Sequence, residues 1–269
     1  MNILVCVKQV PDTTEIRMDP KTNTLIRTGV PSTVNPFDKN ALEAAVQLKE
    51  QLGGTVTVIS MGPPQAVDAL RDCMALGADR MVLATDRAFG GADTYATSYV
   101  LAQAAKHLGG FDLIICGRQA IDGDTAQVGP MIAEHLGLPQ ISCVSKIEIE
   151  GDTLIASQER ENSYAKLQTK LPALVSVTKS INEPRLPNIM KKLKANRMEP
   201  EIINAESLED LDESKIGLKG SPTKVSKIFV PNREKHTVYI EGKNPADSAA
   251  KLIEALEEAK IQFIGGAGV

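Results

Sequence analysis

Tryptophan is absent from this 269-residue chain, and aromatic residues make up only 3% of it. Proteins that hold single-stranded nucleic acid stack bases on aromatic side chains, and those that hold duplexes lay a basic surface along the phosphates. Both resources are missing, since 30 Lys and Arg face 34 Asp and Glu for a net charge of -4. No nucleic-acid partner is expected. The four cysteines (Cys6, Cys73, Cys116 and Cys143) lie far apart with no C-x-x-C pair, and the histidines His107, His135 and His236 are scattered. That spacing predicts neither a disulfide scaffold nor a metal site; Cys6 and Cys116 sit in apolar runs, where cysteine acts as a small hydrophobe. No apolar run approaches a membrane span, and the N-terminus opens a strand rather than a signal peptide, so cytoplasmic residence is expected. The G-x-G-x-x-G dinucleotide fingerprint, the P-loop and the G-x-S-x-G elbow are missing as well. No His–carboxylate or Cys–His constellation assembles, so any chemistry is expected to reside in a ligand.

What is present is an alternation of strand and helix signals. With 42% hydrophobic and 24% charged residues the composition is that of an ordinary globular protein. The length predicts one large domain with an extension, or two domains. An apolar strand over residues 2–7 is followed by an excursion, 12–33, with a hairpin expected through Lys21-Thr22-Asn23. Asn35-Pro36-Phe37-Asp38 starts a helix whose apolar face is Ala41, Ala44, Ala45 and Leu48. Strands over 55–60, 80–84 and 113–116 then alternate with helices over 65–76 and 94–108. Successive units of this kind predict an α/β fold with a Rossmann-like parallel sheet and helices on both faces. In the second half, 145–149 and 153–157 flank Glu150-Gly151-Asp152 as an antiparallel hairpin, and 174–178 returns as an apolar strand. Pro184 and Pro187 forbid a helix until about Asn188. Residues 199–227 are polar and turn-rich and are expected to be extended, gaining order against a partner. A last amphipathic helix runs from Asn244-Pro245 through Leu252, Ile253 and Leu256. The expected division is an α/β domain over 1–195 and an extended C-terminal arm with a terminal helix over 196–269.

Residues 113–130 are the most informative stretch. The run Leu113-Ile114-Ile115-Cys116 stops at Gly117, a loop of small and hydrogen-bonding residues follows, and a helical pattern resumes from Met131. An open α/β sheet needs this arrangement to hold a nucleotide beyond its strand ends. Backbone N–H groups at the helix start, with the Thr125 hydroxyl, suit phosphate oxygens, while Asp122 and Asp124 suit ribose hydroxyls or the flavin side of the ligand. A solvent-facing loop accounts for the same residues equally well. Lys8, just past the first strand, and Ser60-Met61-Gly62-Pro63, past the second, fall on the same rim. Taken alone, Lys8 reads better as a solvated lysine beside a turn. Asp93 is expected to cap the helix that begins at Thr94, placing Thr94 and Thr97 on one face of the first turn, where two hydroxyls suit a diphosphate.

Five blocks in order carry a family resemblance. They are Val7-Lys8-Gln9-Val10 with Asp12; Asn35-Pro36-Phe37 before Ala41-Leu42-Glu43-Ala44-Ala45; Gly77-Ala78-Asp79-Arg80; Gly117-Arg118-Gln119-Ala120-Ile121-Asp122-Gly123-Asp124; and Asn182-Glu183-Pro184-Arg185 with Leu186-Pro187-Asn188-Ile189-Met190. Along most of its first 195 residues the chain resembles the beta subunit of electron-transfer flavoprotein, and more loosely beyond. The resemblance implies an obligate heterodimer with an FAD-carrying alpha subunit, around which the C-terminal arm docks. It implies AMP in the beta site of the common respiratory branch. In the electron-bifurcating branch it implies a second FAD, which accepts hydride from NADH and splits the pair between ferredoxin or flavodoxin and, through the alpha-subunit FAD, an acyl-CoA dehydrogenase-type flavoenzyme. The loops at 93–97 and 122–129 look like the bifurcating type. Thr94, Thr97 and Thr125 supply the extra donors a diphosphate needs over a single phosphate, and Gly90, Gly91 and Gly123 leave room for a larger ligand. By position, Cys6, Val7 and Lys8 would contact adenine, with Ser60, Met61 and Gly62 near the nucleotide. Thr94, Thr97, Asp122, Gly123, Asp124, Thr125, Ala126, Gln127, Val128 and Gly129 would hold ribose and diphosphate. Asn182, Glu183, Pro184, Arg185, Leu186, Pro187, Ile189 and Met190 match the dehydrogenase-recognition loop, with Leu186 as its anchor; a buried loop leucine is the competing reading.

Overall fold

Strand hydrophobicity sets the architecture. Residues 3–5, 56, 58–59, 81–84, 113–116 and 173–177 include almost no charged side chains and are buried on both faces of one sheet, as parallel strands covered by helices must be. The structure is a computed structural model in which residues 1–12, 31–226 and 237–261 are described. Chain contacts divide it into two units, Met1–Ile228 and Phe229–Val269.

In chain order the first unit contains β1 (Asn2–Cys6), β2 (Gln9–Pro11), β3 (Ser32–Val34), α1 (Pro36–Leu52), β4 (Thr55–Met61), α2 (Val67–Leu76), β5 (Arg80–Ala84), α3 (Thr94–Leu108), β6 (Leu113–Gly117) and α4 (Val128–Leu136). It continues with β7 (Gln140–Glu150), β8 (Thr153–Glu159), β9 (Tyr164–Lys170), β10 (Ala173–Val177), α5 (Ile189–Ala195) and β11 (Glu201–Ile203). Nine strands join in the order β11-β5-β4-β1-β6-β10-β7-β8-β9. All neighbours from β11 to β7 are parallel, and β7-β8-β9 is an antiparallel meander. Apolar side chains of α1 and α2 pack with Ile3, Val5, Val56 and Val58 on one face of the sheet. Those of α3 and α4 pack with Leu4, Ile59 and Ile114 on the other. The α3 contribution is rich in alanine (Ala96, Ala102, Ala104, Ala105), which lets the helix approach closely.

The α/β expectation holds, including helices on both faces, the antiparallel hairpin and the C-terminal helix. Several boundaries differ. The helix expected from Met131 begins at Val128, so its first turn lies inside the loop that the sequence assigns to ligand. The strand Tyr164–Lys170 was not anticipated; as the sheet's edge it alternates exposed and half-buried residues and lacks an apolar run. β2 and β3 pair antiparallel at the two ends of the 12–33 excursion, whose expected hairpin lies outside the described residues. The segment expected to be extended over 199–227 packs into the first unit over its described part, 199–226. β11 adds to the sheet beside β5, and Ile203, Leu208 and Ile216 are buried. The first unit therefore runs past residue 195. In the second unit α6 (Pro245–Glu258) starts where expected, with the Asn244 side chain accepting the Asp247 N–H at 2.9 Å.

Candidate functional site

The chain builds β1, β4 and β5 outward in one direction, then returns to lay β6 on the opposite side of β1. At such a switch point the loops leaving the carboxyl ends of the two strands diverge and leave a crevice. A cleft of about 830 Å³ opens there, within the range of ligand pockets. It is lined by loops that follow β1, β4, β5 and β6 and by the first turns of α3 and α4. Of the residues singled out from sequence, Cys6, Val7, Lys8, Met61, Gly62, Thr94, Thr97, Gly123, Thr125, Ala126, Gln127, Val128 and Gly129 line this cleft. Ser60 is buried within β4 instead. Asp122 lies at the rim, where both its oxygens accept from Lys8 Nζ at 2.7 and 2.8 Å. Asp124 accepts from Gln119 Nε2 at 2.7 Å.

A buried polar node fixes the mouth. Asn35 stands at the N-cap of α1 but makes no side-chain cap bond. Its Nδ2 donates to Asp38 Oδ1 at 2.9 Å and to the Gln119 carbonyl at 2.8 Å, and its Oδ1 accepts the Ile121 N–H at 3.2 Å. Asp38 Oδ2 accepts the Lys8 N–H at 2.8 Å. Two residues thus join the loop after β1 to the loop after β6. Burial pushes the Asp38 carboxyl up to about 7, against the lowering effect of its donors Asn35, Lys8 and Gly117. Glycine is required at 117, because a Cβ there would overlap Asp38 Oδ1 and lie 2.7 Å from the Phe37 carbonyl carbon. On the cleft floor Cys6 and Cys116 are register neighbours. The Cys6 thiol and burial both push the Cys116 thiol well up, so it serves as neutral wall.

Two helix N-termini face the cleft. The α3 terminus is capped by Asp93, whose Oδ1 accepts the Tyr95 and Ala96 N–H groups at 3.0 and 3.1 Å, which leaves Thr94 and Thr97 on the cleft wall. Thr94 Oγ1 donates to Gln127 Oε1 at 2.9 Å, tying α3 to the residue before α4. In the loop that leads into α4, Asp124 and Ala126 adopt left-handed backbone (φ 50° and 54°) on either side of Thr125. Backbone of that kind costs about 1–3 kcal/mol in a non-glycine residue and clusters where a loop must present its groups in one orientation. The loop leads directly into the N-terminus of α4, which has no side-chain cap.

Sequence reasoning passed over Asp38, Thr85, Asp86, Arg87, Arg118 and Gln119 as cleft-lining residues. Asp38 reads as an ordinary acid in a first helical turn, and nothing local shows that the turn faces inward. Arg87 and Arg118 add positive charge to the cleft beside Lys8, and their place just past strand ends was the available signal. Among the described residues, no group of three or more His, Cys, Asp or Glu is set to hold a metal ion, and no helix is long and apolar enough to cross a membrane.

The loop after β10 forms a separate surface feature. Asn40 Nδ2 donates to the Asn182 carbonyl at 2.8 Å and to Asn182 Oδ1 at 3.1 Å, and Asn182 Nδ2 donates back to the Asn40 carbonyl at 3.1 Å. Arg185 reaches buried Glu43 through Nε at 2.8 Å and Nη2 at 3.1 Å, and Glu50 through Nη1 at 2.7 Å and Nη2 at 3.0 Å. Pro184 is half-buried, whereas Glu183, Leu186, Pro187, Ile189 and Met190 are exposed. Leu186 is 89% exposed. The alternative of a buried loop leucine is excluded.

Fold and cleft together define an open, doubly wound α/β protein with a cleft at its topological switch point. The description "Electron transfer flavoprotein domain" matches residues 22–206, more than half of the chain. The chain is 52% identical over 262 residues to the electron transfer flavoprotein subunit beta of Thermoanaerobacterium thermosaccharolyticum, covering 97% of this chain and 100% of that one. It is 48% identical over 270 residues to the subunit of the same name from Megasphaera elsdenii, covering 97% and 100%. It is 45% identical over 262 residues to the caffeyl-CoA reductase-Etf complex subunit CarD of Acetobacterium woodii, again covering 97% and 100%. The chain belongs to the electron transfer flavoprotein beta-subunit family.

Proposed function

We propose that this chain pairs with an electron-transfer flavoprotein alpha subunit and holds an FAD in the switch-point cleft. The observation that carries this reading is the convergence on one cleft of about 830 Å³ of the α4 N-terminus, which has no side-chain cap, with the hydroxyl-bearing residues Thr94, Thr97 and Thr125. A donor set spread over two elements suits a diphosphate better than a single phosphate. The similarity to CarD, named for its Etf complex with a reductase, supports the bifurcating branch over the AMP-holding one. When bound, the FAD would supply hydride acceptance from NADH and its division into single electrons, to ferredoxin or flavodoxin and, through the alpha-subunit FAD, to an acyl-CoA dehydrogenase-type partner.

The chain's own residues would do the positioning. Cys6, Val7 and Lys8 wall the adenine end, and the Asn35–Asp38 node fixes that loop to the 117–121 turn. Thr94, Thr97, Thr125 and the N–H groups opening α4 hold the diphosphate. Lys8 is paired with Asp122, so its charge is partly neutralised and the adenine edge meets backbone groups in preference to a bare ammonium. The Arg185 clamp holds Leu186, Ile189 and Met190 outward as the docking surface for the dehydrogenase. Co-expression with the alpha subunit, followed by counting of bound nucleotides and anaerobic NADH titration, tests the reading. Two FAD per heterodimer with bleaching by NADH is the expected result. One FAD with one AMP, and no response to NADH, refutes it in favour of the AMP-holding branch.

A further inference from the structure

One wall of the cleft is held by a segment more than 120 residues away in sequence. The wall is the loop 86–93, which contributes Asp86, Arg87, Phe89, Gly90, Gly91, Ala92 and Asp93 to the cleft. Against its outer side lie residues 216–223. The Leu218 N–H donates to the Gly90 carbonyl at 3.0 Å. Ser221 Oγ accepts the Asp93 N–H at 2.8 Å and donates to the Gly217 carbonyl at 2.7 Å. The Thr223 N–H donates to Asp93 Oδ2 at 2.8 Å. Gly217 has φ 57°, and a Cβ on it would overlap the Ala88 carbonyl oxygen, so this contact tolerates glycine alone. Ile216 and Ser221 are buried, which anchors the segment at both ends.

Asp93 joins residues 216–223 to α3. One carboxylate oxygen caps α3 through Tyr95 and Ala96, and the other receives Thr223. Burial alone raises its carboxyl, but the donors Thr223, Ala96 and Tyr95 outweigh that and hold it below the usual value. The first turn of α3, which carries Thr94 and Thr97 into the cleft, therefore shares its cap with a distant strand of chain. We propose that residues 216–223 are a clasp whose attachment to Asp93 and the 88–90 backbone sets how long the cleft retains its nucleotide, with Gly217 and Ser221 as positioning residues. The clasp lies a few residues before the end of the first unit at Ile228.

The proposal rests on the nucleotide-holding reading of the cleft, and its test separates the two. Heterodimers with the alpha subunit are prepared with wild-type chain and with Ser221→Ala, Ser221→Thr, Gly217→Ala and Arg80→Ala. Arg80 pairs with Glu201 at the far end of β5 and controls for general loosening. The released nucleotide, FAD or AMP, is quantified chromatographically after dilution, and hydrogen exchange is followed over residues 86–97. Loss of one or two such bonds predicts release about tenfold faster in Ser221→Ala and Gly217→Ala, with faster exchange at 86–97. Threonine at 221 keeps the hydroxyl and restores slow release, and Arg80→Ala leaves it unchanged. Wild-type release rates in Ser221→Ala and Gly217→Ala overturn the clasp, as does equal acceleration by Arg80→Ala. A wild-type heterodimer with no nucleotide in the cleft overturns the underlying reading, and the clasp with it.

Discussion

Replacing Arg185 by alanine removes the guanidinium that ties the 182–188 loop to α1. Four side-chain hydrogen bonds of 2.7–3.1 Å are lost, two to Glu43 and two to Glu50. The two acids are not equivalent. The Glu43 side chain is 6% exposed and that of Glu50 54%. After the substitution Glu43 keeps only Gln47 Nε2 at 2.8 Å and the residue-185 N–H at 3.1 Å. Removing one partner of a buried ion pair costs about 3–5 kcal/mol because it strands the other charge. Arg185 is itself 31% exposed and water reaches one side of the pair, so about 2 kcal/mol is expected. Glu50→Ala, at the exposed arm of the same clamp, is expected to cost about 0.5 kcal/mol. Burial alone would raise Glu43, but the Arg185 bonds hold its carboxyl below the usual value. The stability they contribute is present above the unfolded carboxylate range and is lost as pH falls through the lowered value, so the Arg185→Ala deficit should shrink in acid. Denaturant unfolding of wild type, both single variants and the double variant, at neutral and acidic pH, measures each number. Equal costs for Arg185→Ala and Glu50→Ala, or a deficit that grows in acid, refute the argument.

Gly117→Ala should cost about 1–3 kcal/mol through overpacking against Asp38 and Phe37 and should weaken nucleotide retention by displacing the 117–121 turn, both measured on one preparation by thermal unfolding and bound-nucleotide count; a wild-type melting point counts against the node. Burial raises Asp38 from 3.8 to about 7, so its contribution to stability is complete below about pH 4 and is lost as pH rises through 7. A shift of that size caps the effect at about 4 kcal/mol, and Asp38→Asn should flatten the melting-temperature profile between pH 5 and 8. Leu186→Ala should leave the melting temperature within a degree or so of wild type, since the side chain is 89% exposed and surface changes usually stay within about 0.5 kcal/mol. It should nevertheless slow electron transfer to an acyl-CoA dehydrogenase-type partner, and an unchanged rate removes Leu186 from the docking surface.

The parallel half of the sheet was legible because its strands are short apolar runs, two of them (β4 and β6) closed by glycine, and an unbroken apolar run reports burial directly. The rim loops were legible for a topological reason. Once β1 and the Leu113 strand are recognised as neighbours, the residues just beyond them must share a crevice. The edge strands β9 and β11 were not, since a strand with one covered face and one pairing partner leaves a weak pattern. Three half-buried residues in Tyr164–Lys170 are indistinguishable from a polar loop. Asp38 escaped for a different reason. Its burial depends on where β6 ends relative to α1, a tertiary coincidence between positions 38 and 117 that no local window contains. Glu43 did leave a trace, as a lone acid inside the apolar face Ala41, Leu42, Ala44, Ala45, but its partner lies 142 residues away.

The placement of β10 has a consequence for synthesis. Ala173–Val177 is made after the β7-β8-β9 meander yet fills the slot between β6 and β7. Until a ribosome has released residue 177, β6 carries an open row of amide and carbonyl groups, and the meander has no sheet to join. The nascent chain must keep that gap from pairing with a stranger for the time needed to add sixty residues after Gly117. Truncations that stop short of Val177 should therefore be found in aggregates or bound to chaperones, even though every loop that lines the switch-point cleft has already emerged.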